Sequence, residues 1–97
     1  MASHRVLVAD PISEHGVTLL NDHPDITADF IPDLGSQPDK LLEIIGDYDA
    51  LIVRSQTKPN AEVIARASRL RAIGRAGVGV DNIDREAASA HGVIVMN

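Results

Sequence analysis

The chain has no cysteine and no tryptophan, and Phe30 and Tyr48 are its only aromatic residues. Without cysteine it can form neither a disulfide framework nor a thiolate site. Hydrophobic residues make up 44% of the 97, which is enough for a core, and because aromatic residues are so few this core must consist of Val, Ile, Leu and Ala. No apolar run approaches the roughly 18 residues of a membrane span, and the first apolar run is of strand length and lacks the features of a signal peptide. A chain of 97 residues forms one domain at most, and these absences predict a cytoplasmic protein.

The charge of the chain is low and uneven. A net charge of −5 argues against a nucleic-acid partner, because phosphates require a basic surface. Residues 1–50 contain ten acids and two bases, whereas residues 51–97 contain four acids and seven bases. Arg66 and Arg69 fit the solvated face of a helix. Arg54 and Arg75 do not, because each directly follows a short apolar run.

Apolar runs alternate with amphipathic segments along the whole chain. The pattern predicts strands over residues 5–9, 26–30, 50–53, 70–74 and 93–96. It predicts helices over residues 12–21, 38–45 and 61–67, and a fourth that ends at residue 90. Asn60 is the expected N-cap of the third helix, and Asp81 or Asn82 that of the fourth. Gly92 occupies the position of a C′ glycine.

Strands that alternate with helices predict an α/β fold with a parallel sheet and right-handed crossovers. Five strands fit the flavodoxin-like order 2-1-3-4-5, in which ligands bind beyond the carboxyl ends of the strands. The third and fourth strands are neighbours in this order, so Arg54 and Arg75 should emerge side by side. Two guanidinium groups could bind one phosphate or carboxylate. The backbone N–H groups of Gly77, Val78 and Gly79 could form an anion-binding nest beside them.

Other chemistry is poorly supported. The pair Gly77 and Gly79 is not the phosphate fingerprint Gly-x-Gly-x-x-Gly, because the next glycine is Gly92. Asp10 could suggest a phosphoacceptor domain, but that interpretation needs an acid where this chain has Arg54. The four histidines show no metal-ligand spacing, and no nucleophile is paired with a base. The sequence therefore predicts no metal site and no catalytic residue.

Three segments are similar to a known family: Leu51-Ile-Val-Arg-Ser-Gln-Thr-Lys58, Gly74-Arg-Ala-Gly-Val-Gly-Val-Asp-Asn-Ile-Asp84 and Gly92-Val-Ile-Val-Met-Asn97. They resemble the phosphoglycerate branch of the D-2-hydroxyacid dehydrogenase family, and the resemblance extends over the whole chain. It implies that residues 1–97 are the N-terminal part of the substrate-binding domain. In the family the dinucleotide-binding domain, with the catalytic residues, follows a position equivalent to Asn97.

The resemblance also implies an activity and a set of site residues. The parent activity would be NAD-dependent oxidation of 3-phosphoglycerate to 3-phosphohydroxypyruvate, which feeds serine synthesis. Alternatives are a dehydrogenase of another 2-hydroxy acid, or a non-catalytic anion-binding or association module. The substrate-binding residues that the resemblance implies are Arg54, Ser55, Arg75, Gly77, Val78 and Gly79. Val78 would also border the nicotinamide of NAD. We expect the 97 residues alone to be inactive and to bind NAD weakly.

A last expectation concerns the faces of the sheet. Right-handed crossovers place the first helix on one face and the three later helices on the other. The face near Ile52, Ile73 and Ile94, or their immediate neighbours, should then be only half covered. An exposed apolar patch favours association. The sequence therefore predicts a homodimer formed through this face or through the edge of the fifth strand.

Overall fold

The computed structural model describes residues 4–12, 14–76 and 83–96 of the chain. The strands in this part are β1 (His4–Val8), β2 (Ile26–Phe30), β3 (Ala50–Val53), β4 (Ala72–Arg75) and β5 (Ile94–Met96). The α-helices are α1 (Glu14–Asp22), α2 (Pro38–Ile44), α3 (Ala61–Arg66) and α4 (Arg85–Ala90). Single turns of 3-10 helix lie at Leu34–Ser36 and Ile45–Asp47.

The five strands form one parallel sheet in the order β2-β1-β3-β4-β5. The predicted α/β fold and the predicted strand order are both confirmed. The order places β1, β3 and β4 in the interior of the sheet, and their carboxyl ends lie at one edge. That edge is where open parallel sheets bind ligands.

Two of the predicted helix caps are confirmed, and a third lies at a different residue. The Asn60 side chain accepts a hydrogen bond from Val63 N at 3.0 Å, and Gly92 has a φ of 72° after α4, as expected of an N-cap and a C′ glycine. The N-cap of α4 is Asp84, whose carboxylate accepts from Ala87 N at 3.0 Å. The prediction of a cap at residue 81 or 82 is therefore wrong by two or three residues.

Strand β4 begins two residues later than predicted and ends at Arg75. The reason is that the N–H of Leu70 donates to Ala67 O at 3.1 Å, so Leu70 belongs to the turn that closes α3. Leu70 is nevertheless buried, which explains its apolar character. Arg75 is thus the last residue of the strand and pairs with Val53 of β3.

The helices divide between the two faces as the crossover rule predicts. On one face, α2, α3 and α4 pack on the sheet in a core that includes Leu41, Val63 and Ala88. On the other face, a smaller cluster consists of Val6, Val8 and Ala28. Ile12, which precedes α1, and Leu20, which lies in α1, pack on this cluster. The larger core lies under the helices that follow β2, β3 and β4.

The second face becomes more exposed from β1 towards β5. Its two rows, read from the strand register, are Val6-Ala50-Ala72-Ile94 and Val8-Ile52-Gly74-Met96. Val8 is fully buried, Ile52 is half-buried, and Ile94 and Met96 are 64% and 53% exposed. The half-covered face is confirmed. Ile73 does not belong to it, because its side chain is fully buried on the opposite face, so its neighbours Ala72 and Gly74 take its place.

Candidate functional site

The loops that follow the interior strands begin side by side at the carboxyl edge of the sheet. The N–H of Ala9 donates to Ile52 O at 3.0 Å, and that of Ala76 donates to Val53 O at 2.8 Å. These bonds extend the parallel pairing one residue beyond the strands. The residues that enter the edge from β1, β3 and β4 are therefore Asp10, Arg54 and Arg75.

Asp10 organises this edge from within. Its side chain is fully buried, and its carboxylate accepts the N–H of Arg54 at 2.7 Å. The same carboxylate accepts the N–H of Thr57 at 3.0 Å and the Thr57 hydroxyl at 2.6 Å. Buried carboxylates need several strong donors to offset the loss of hydration, and this loop supplies them. One carboxylate thus fastens both ends of the loop at residues 54–57 to the end of β1.

The two predicted arginines lie together. Arg75 Nε donates to the backbone carbonyl of Arg54 at 3.2 Å. The Arg54 guanidinium donates through Nη1 to Pro11 O at 3.4 Å, and Arg54 is exposed. A small depression of about 170 Å³ is lined by Pro11, Arg54, Ser55 and Gln56. The structure therefore brings Arg54, Ser55 and Arg75 to one edge.

The remaining predicted site residues, Gly77, Val78 and Gly79, lie outside the described residues. The anion-binding nest predicted for their backbone, and the contact of Val78 with a nicotinamide, stay predictions.

A second loop approaches the arginine loop closely. A Cβ built on Gly35 would lie 2.9 Å from Gln56 Cβ and 3.0 Å from the Gln56 carbonyl carbon. Only glycine allows this approach without a shift of the loop. A cleft of about 400 Å³ extends from here between α2 and α3, and Gly35, Gln56, Thr57 and Lys58 are among its lining residues.

The sequence indicated neither the bonds of Asp10 to Thr57 nor the close approach at Gly35. Gly35 belongs to no recognisable motif, Thr57 lies in the Leu51–Lys58 segment without a predicted role, and the pattern offers Asp10 only as a possible phosphoacceptor. The available signal was the position of Asp10, an acid that directly follows an apolar strand in a parallel sheet. An acid at that position must either face solvent or find buried donors, and Asp10 finds them in a loop 44–47 residues away.

A different set of polar contacts surrounds the amino ends of β1 and β3. Tyr48 is buried, and its hydroxyl donates to Asp29 Oδ2 at 2.6 Å. Burial, together with this bond, raises the pKa of Tyr48 to about 12. Asp49 accepts the N–H of Arg5 at 2.8 Å, and this bond, with the nearby Arg69, lowers the pKa of the carboxyl. The Arg5 guanidinium bonds Asp29 at 3.0 Å and stacks on the Tyr48 ring.

Within the described residues, no cluster of three or more histidine or acidic side chains is arranged to bind a metal ion. No helix there has the length and apolar character to cross a membrane.

The chain has an α/β fold, in which an open parallel sheet presents guanidinium groups beyond its carboxyl ends, the edge where such sheets bind ligands. Comparison with known families specifies it. The family model described as D-isomer specific 2-hydroxyacid dehydrogenase, catalytic domain, matches residues 6–97. The chain belongs to this family.

The chain is similar to several proteins of known type. It is 45% identical over 93 residues to D-3-phosphoglycerate dehydrogenase of Methanocaldococcus jannaschii, covering 96% of this chain and 17% of that protein. It is also 45% identical over 94 residues to the chloroplastic D-3-phosphoglycerate dehydrogenase 2 of Arabidopsis thaliana, covering 96% and 14%. The chain thus spans about a sixth of the length of these relatives.

A solved structure agrees in fold. The crystal structure of 3-phosphoglycerate dehydrogenase from Entamoeba histolytica with bound NAD⁺ superimposes with a TM-score of 0.80 and 30% identity. The match covers 99% of this chain and 33% of that one. The matched region is therefore one part of a larger enzyme in each relative.

Proposed function

We propose that this chain is the substrate-binding portion of an NAD-dependent oxidoreductase that converts 3-phosphoglycerate to 3-phosphohydroxypyruvate, a step in serine biosynthesis. The identity of about 45% to enzymes named D-3-phosphoglycerate dehydrogenase supports this substrate. The observation on which the proposal depends is the bond from Arg75 Nε to the Arg54 backbone carbonyl, since it brings the Arg75 guanidinium to the edge from which the Arg54 side chain also extends.

The chemistry of the edge suits a small polyanion. Arginine presents planar donors that match the oxygens of a phosphate or a carboxylate. 3-Phosphoglycerate has both groups, separated by two carbon atoms and the ester oxygen of the phosphate. Ser55 lines the same depression as Arg54 and would add a hydroxyl donor there. In this proposal Arg54 and Arg75 bind one anionic end of the substrate, and the backbone at Gly77, Val78 and Gly79 meets the carboxylate.

NAD would be held mainly by other parts of the longer enzyme. The turn after β1 is Ala9-Asp10-Pro11, and its carboxylate accepts hydrogen bonds from a neighbouring loop. A dinucleotide pyrophosphate needs a glycine-rich turn with outward N–H groups, so this turn does not fit that group. The nicotinamide supplies hydride chemistry when it is bound, and this chain would contribute the border at Val78 and the substrate site.

Titration with 3-phosphoglycerate tests the proposal. We expect the chain to bind it weakly and in a salt-sensitive manner, and to bind NAD more weakly still. Arg54→Ala and Arg75→Ala should each cost about 2–4 kcal/mol of substrate binding in the full-length enzyme, as for a lost charge-assisted contact. Lysine should restore only part of the affinity, because it lacks the bidentate fork.

The matched control is Arg66→Ala, which removes an exposed arginine from the end of α3. It should leave the affinity unchanged. Equal affinity of the unaltered chain and of both site variants would reject the anion site. We expect no turnover of 3-phosphoglycerate with NAD by the 97 residues alone. Measured turnover would contradict the proposal that other parts of the longer enzyme hold NAD.

Two alternatives make different predictions in the same titration. A dehydrogenase of another 2-hydroxy acid would prefer a ligand with one carboxylate and no phosphate. A non-catalytic anion-binding module would bind inorganic phosphate as tightly as 3-phosphoglycerate. A cytoplasmic location stays a prediction, and one of the relatives above is named as chloroplastic.

We also propose that the chain pairs with a second copy through the half-covered face or the β5 edge. The exposed Ile94 and Met96 stand at the end of that face, and β5 lies at the edge of the sheet. β5 contains no charged residue, whereas the opposite edge strand, β2, contains Asp29. Charged residues on edge strands oppose pairing with other chains, so β5 is the less protected edge.

Sedimentation of two matched variants tests the pairing. Ile94→Glu should convert a concentration-dependent dimer into a monomer. Leu19→Glu changes an apolar side chain that is similarly exposed, at 58%, but lies on α1, and it should leave the dimer intact. A monomer at high micromolar concentration in the unaltered chain would reject the proposal.

A further inference from the structure

The strongest unexplained group in the described residues is the buried carboxylate of Asp10. Asp10 is fully inaccessible to solvent, and its carboxylate accepts the backbone N–H of Arg54. A buried charge is costly unless it is well bonded, so its presence requires a structural or functional reason.

The bonds of Asp10 converge on one short loop. Three donors reach the carboxylate, namely the N–H of Arg54, the N–H of Thr57 and the Thr57 hydroxyl. The loop is therefore fixed at its first and its last residue by a single group from another strand. Its two central residues, Ser55 and Gln56, remain exposed at the edge.

The backbone of Arg54 transmits this constraint to the second arginine. The Arg54 N–H is bonded to Asp10, and the Arg54 carbonyl is bonded to Arg75 Nε. A peptide segment held at both its donor and its acceptor cannot rotate without breaking one bond. The location of the Arg75 guanidinium hence depends on the position of the Arg54 backbone.

We propose that Asp10, held in place by Thr57, is the positioning residue that sets the spacing of Arg54 and Arg75. This inference rests on the proposed anion site formed by those two arginines. Asp10 itself does not meet the substrate. Its role is to hold two cations in one geometry before the ligand arrives, which reduces the ordering cost of binding.

Variants of Thr57 test the inference, because Asp10→Ala would remove the acceptor of three hydrogen bonds at once and could unfold the chain. Thr57→Val keeps the volume of the side chain and removes the 2.6 Å hydroxyl bond. We expect the Arg75 Nε–H and the Arg54 N–H to exchange faster with solvent in NMR spectra. The dissociation constant for 3-phosphoglycerate should rise about tenfold, as for one lost charge-assisted bond.

Two controls separate positioning from general stability. Thr57→Ser keeps the hydroxyl and should restore both readouts to within about twofold of the unaltered chain, if the hydroxyl bond is what matters. Tyr48→Phe removes another 2.6 Å bond to an aspartate, at residues that precede β3, and should lower stability without changing either readout.

The outcomes distinguish this inference from the proposed function. If Thr57→Val leaves the exchange of the Arg75 Nε–H unchanged, or if Tyr48→Phe changes it equally, the positioning role of Asp10 is wrong. If Arg54→Ala binds 3-phosphoglycerate as the unaltered chain does, the proposed function is wrong, and the exchange rates still decide the positioning role. If Arg54→Ala weakens binding while Thr57→Val does not, only the positioning role is rejected.

Discussion

Strands β1 and β3 are fastened to each other by an aspartate at each end, and the two aspartates differ in what they hold. At the amino ends, Asp49 accepts the N–H of Arg5 and pairs with the Arg69 guanidinium at 3.4 Å. At the carboxyl ends, Asp10 accepts two N–H groups and a hydroxyl from the loop at residues 54–57. An aspartate therefore forms an ion pair at the amino ends of the two strands, and another aspartate fixes the shape of an open loop at their carboxyl ends.

The difference lies in burial and in the kind of donor. Asp10 is fully buried and, within the described residues, accepts hydrogen bonds from neutral groups of the loop, whereas the Asp49 side chain is 16% exposed and has a cationic partner. A partly exposed carboxylate can replace a lost partner with water, but a buried one cannot. The carboxyl edge is therefore the less tolerant of the two, and it is the edge where ligands bind in this fold.

Removing each aspartate should give the largest contrast. Asp10→Ala removes the acceptor of the Arg54 N–H, of the Thr57 N–H and of the 2.6 Å Thr57 hydroxyl bond, and should lower the free energy of unfolding by about 3–5 kcal/mol. Asp49→Ala should cost about 1–2 kcal/mol, because water can reach the N–H of Arg5. Urea denaturation of both variants measures the difference. Equal losses of unfolding free energy would show that the deeper burial of Asp10 does not make the carboxyl ends less tolerant of substitution than the amino ends.

Gly35→Ala should disturb the carboxyl edge next most strongly. The added Cβ would stand 2.9 Å from Gln56 Cβ and 3.0 Å from its backbone carbon, so the loop must shift at a cost of about 1–3 kcal/mol. Gly74→Ala is the control, since a Cβ there meets nothing within 4 Å. It should change stability by less than about 1 kcal/mol. NMR shifts at Gln56 that move only in Gly35→Ala would confirm the close approach.

These two ends also show what a sequence can reveal. The strand order and Arg54 beside Arg75 follow from local patterns, because apolar runs identify strands and parallel strands end at one edge. The bond from Thr57 to Asp10 joins residues 47 positions apart, and no local pattern connects a threonine to an acid at that distance. The beginning of β4 was misplaced for a similar reason, since Leu70 is apolar whether it lies in a strand or in a buried turn.

Tyr48 allows a pH test of the amino end. Its pKa is raised to about 12 because burial and Asp29 favour the neutral phenol. The stability that depends on this group is complete below the unfolded pKa of about 10 and is lost as the pH rises towards 12. Tyr48 is the only tyrosine of the chain, so the ultraviolet absorbance of tyrosinate reports it alone.

Tyr48→Phe completes that test. At neutral pH it should cost about 1–2 kcal/mol, the value of one hydrogen bond to a charged acceptor. It should also remove the part of the stability loss between pH 10 and 12 that Tyr48 causes. Tyrosinate formation in the folded chain at the same pH as in the urea-unfolded chain would contradict the raised pKa.

The smallest effect is expected from Arg69→Ala, which removes the cation from Asp49 but keeps the N–H of Arg5. The Arg69 side chain is 54% exposed and its Nη2 lies 3.4 Å from the carboxylate, so the ion pair should contribute about 0.5 kcal/mol or less. The loss should disappear at high ionic strength, because salt screens exposed charges. Arg69→Ala should also have almost no effect in an Asp49→Asn background, where the amide oxygen can still accept the N–H of Arg5. A loss as large as that of Asp49→Ala would mean that the ion pair, and not the backbone bond, fastens β1 to β3 at this end.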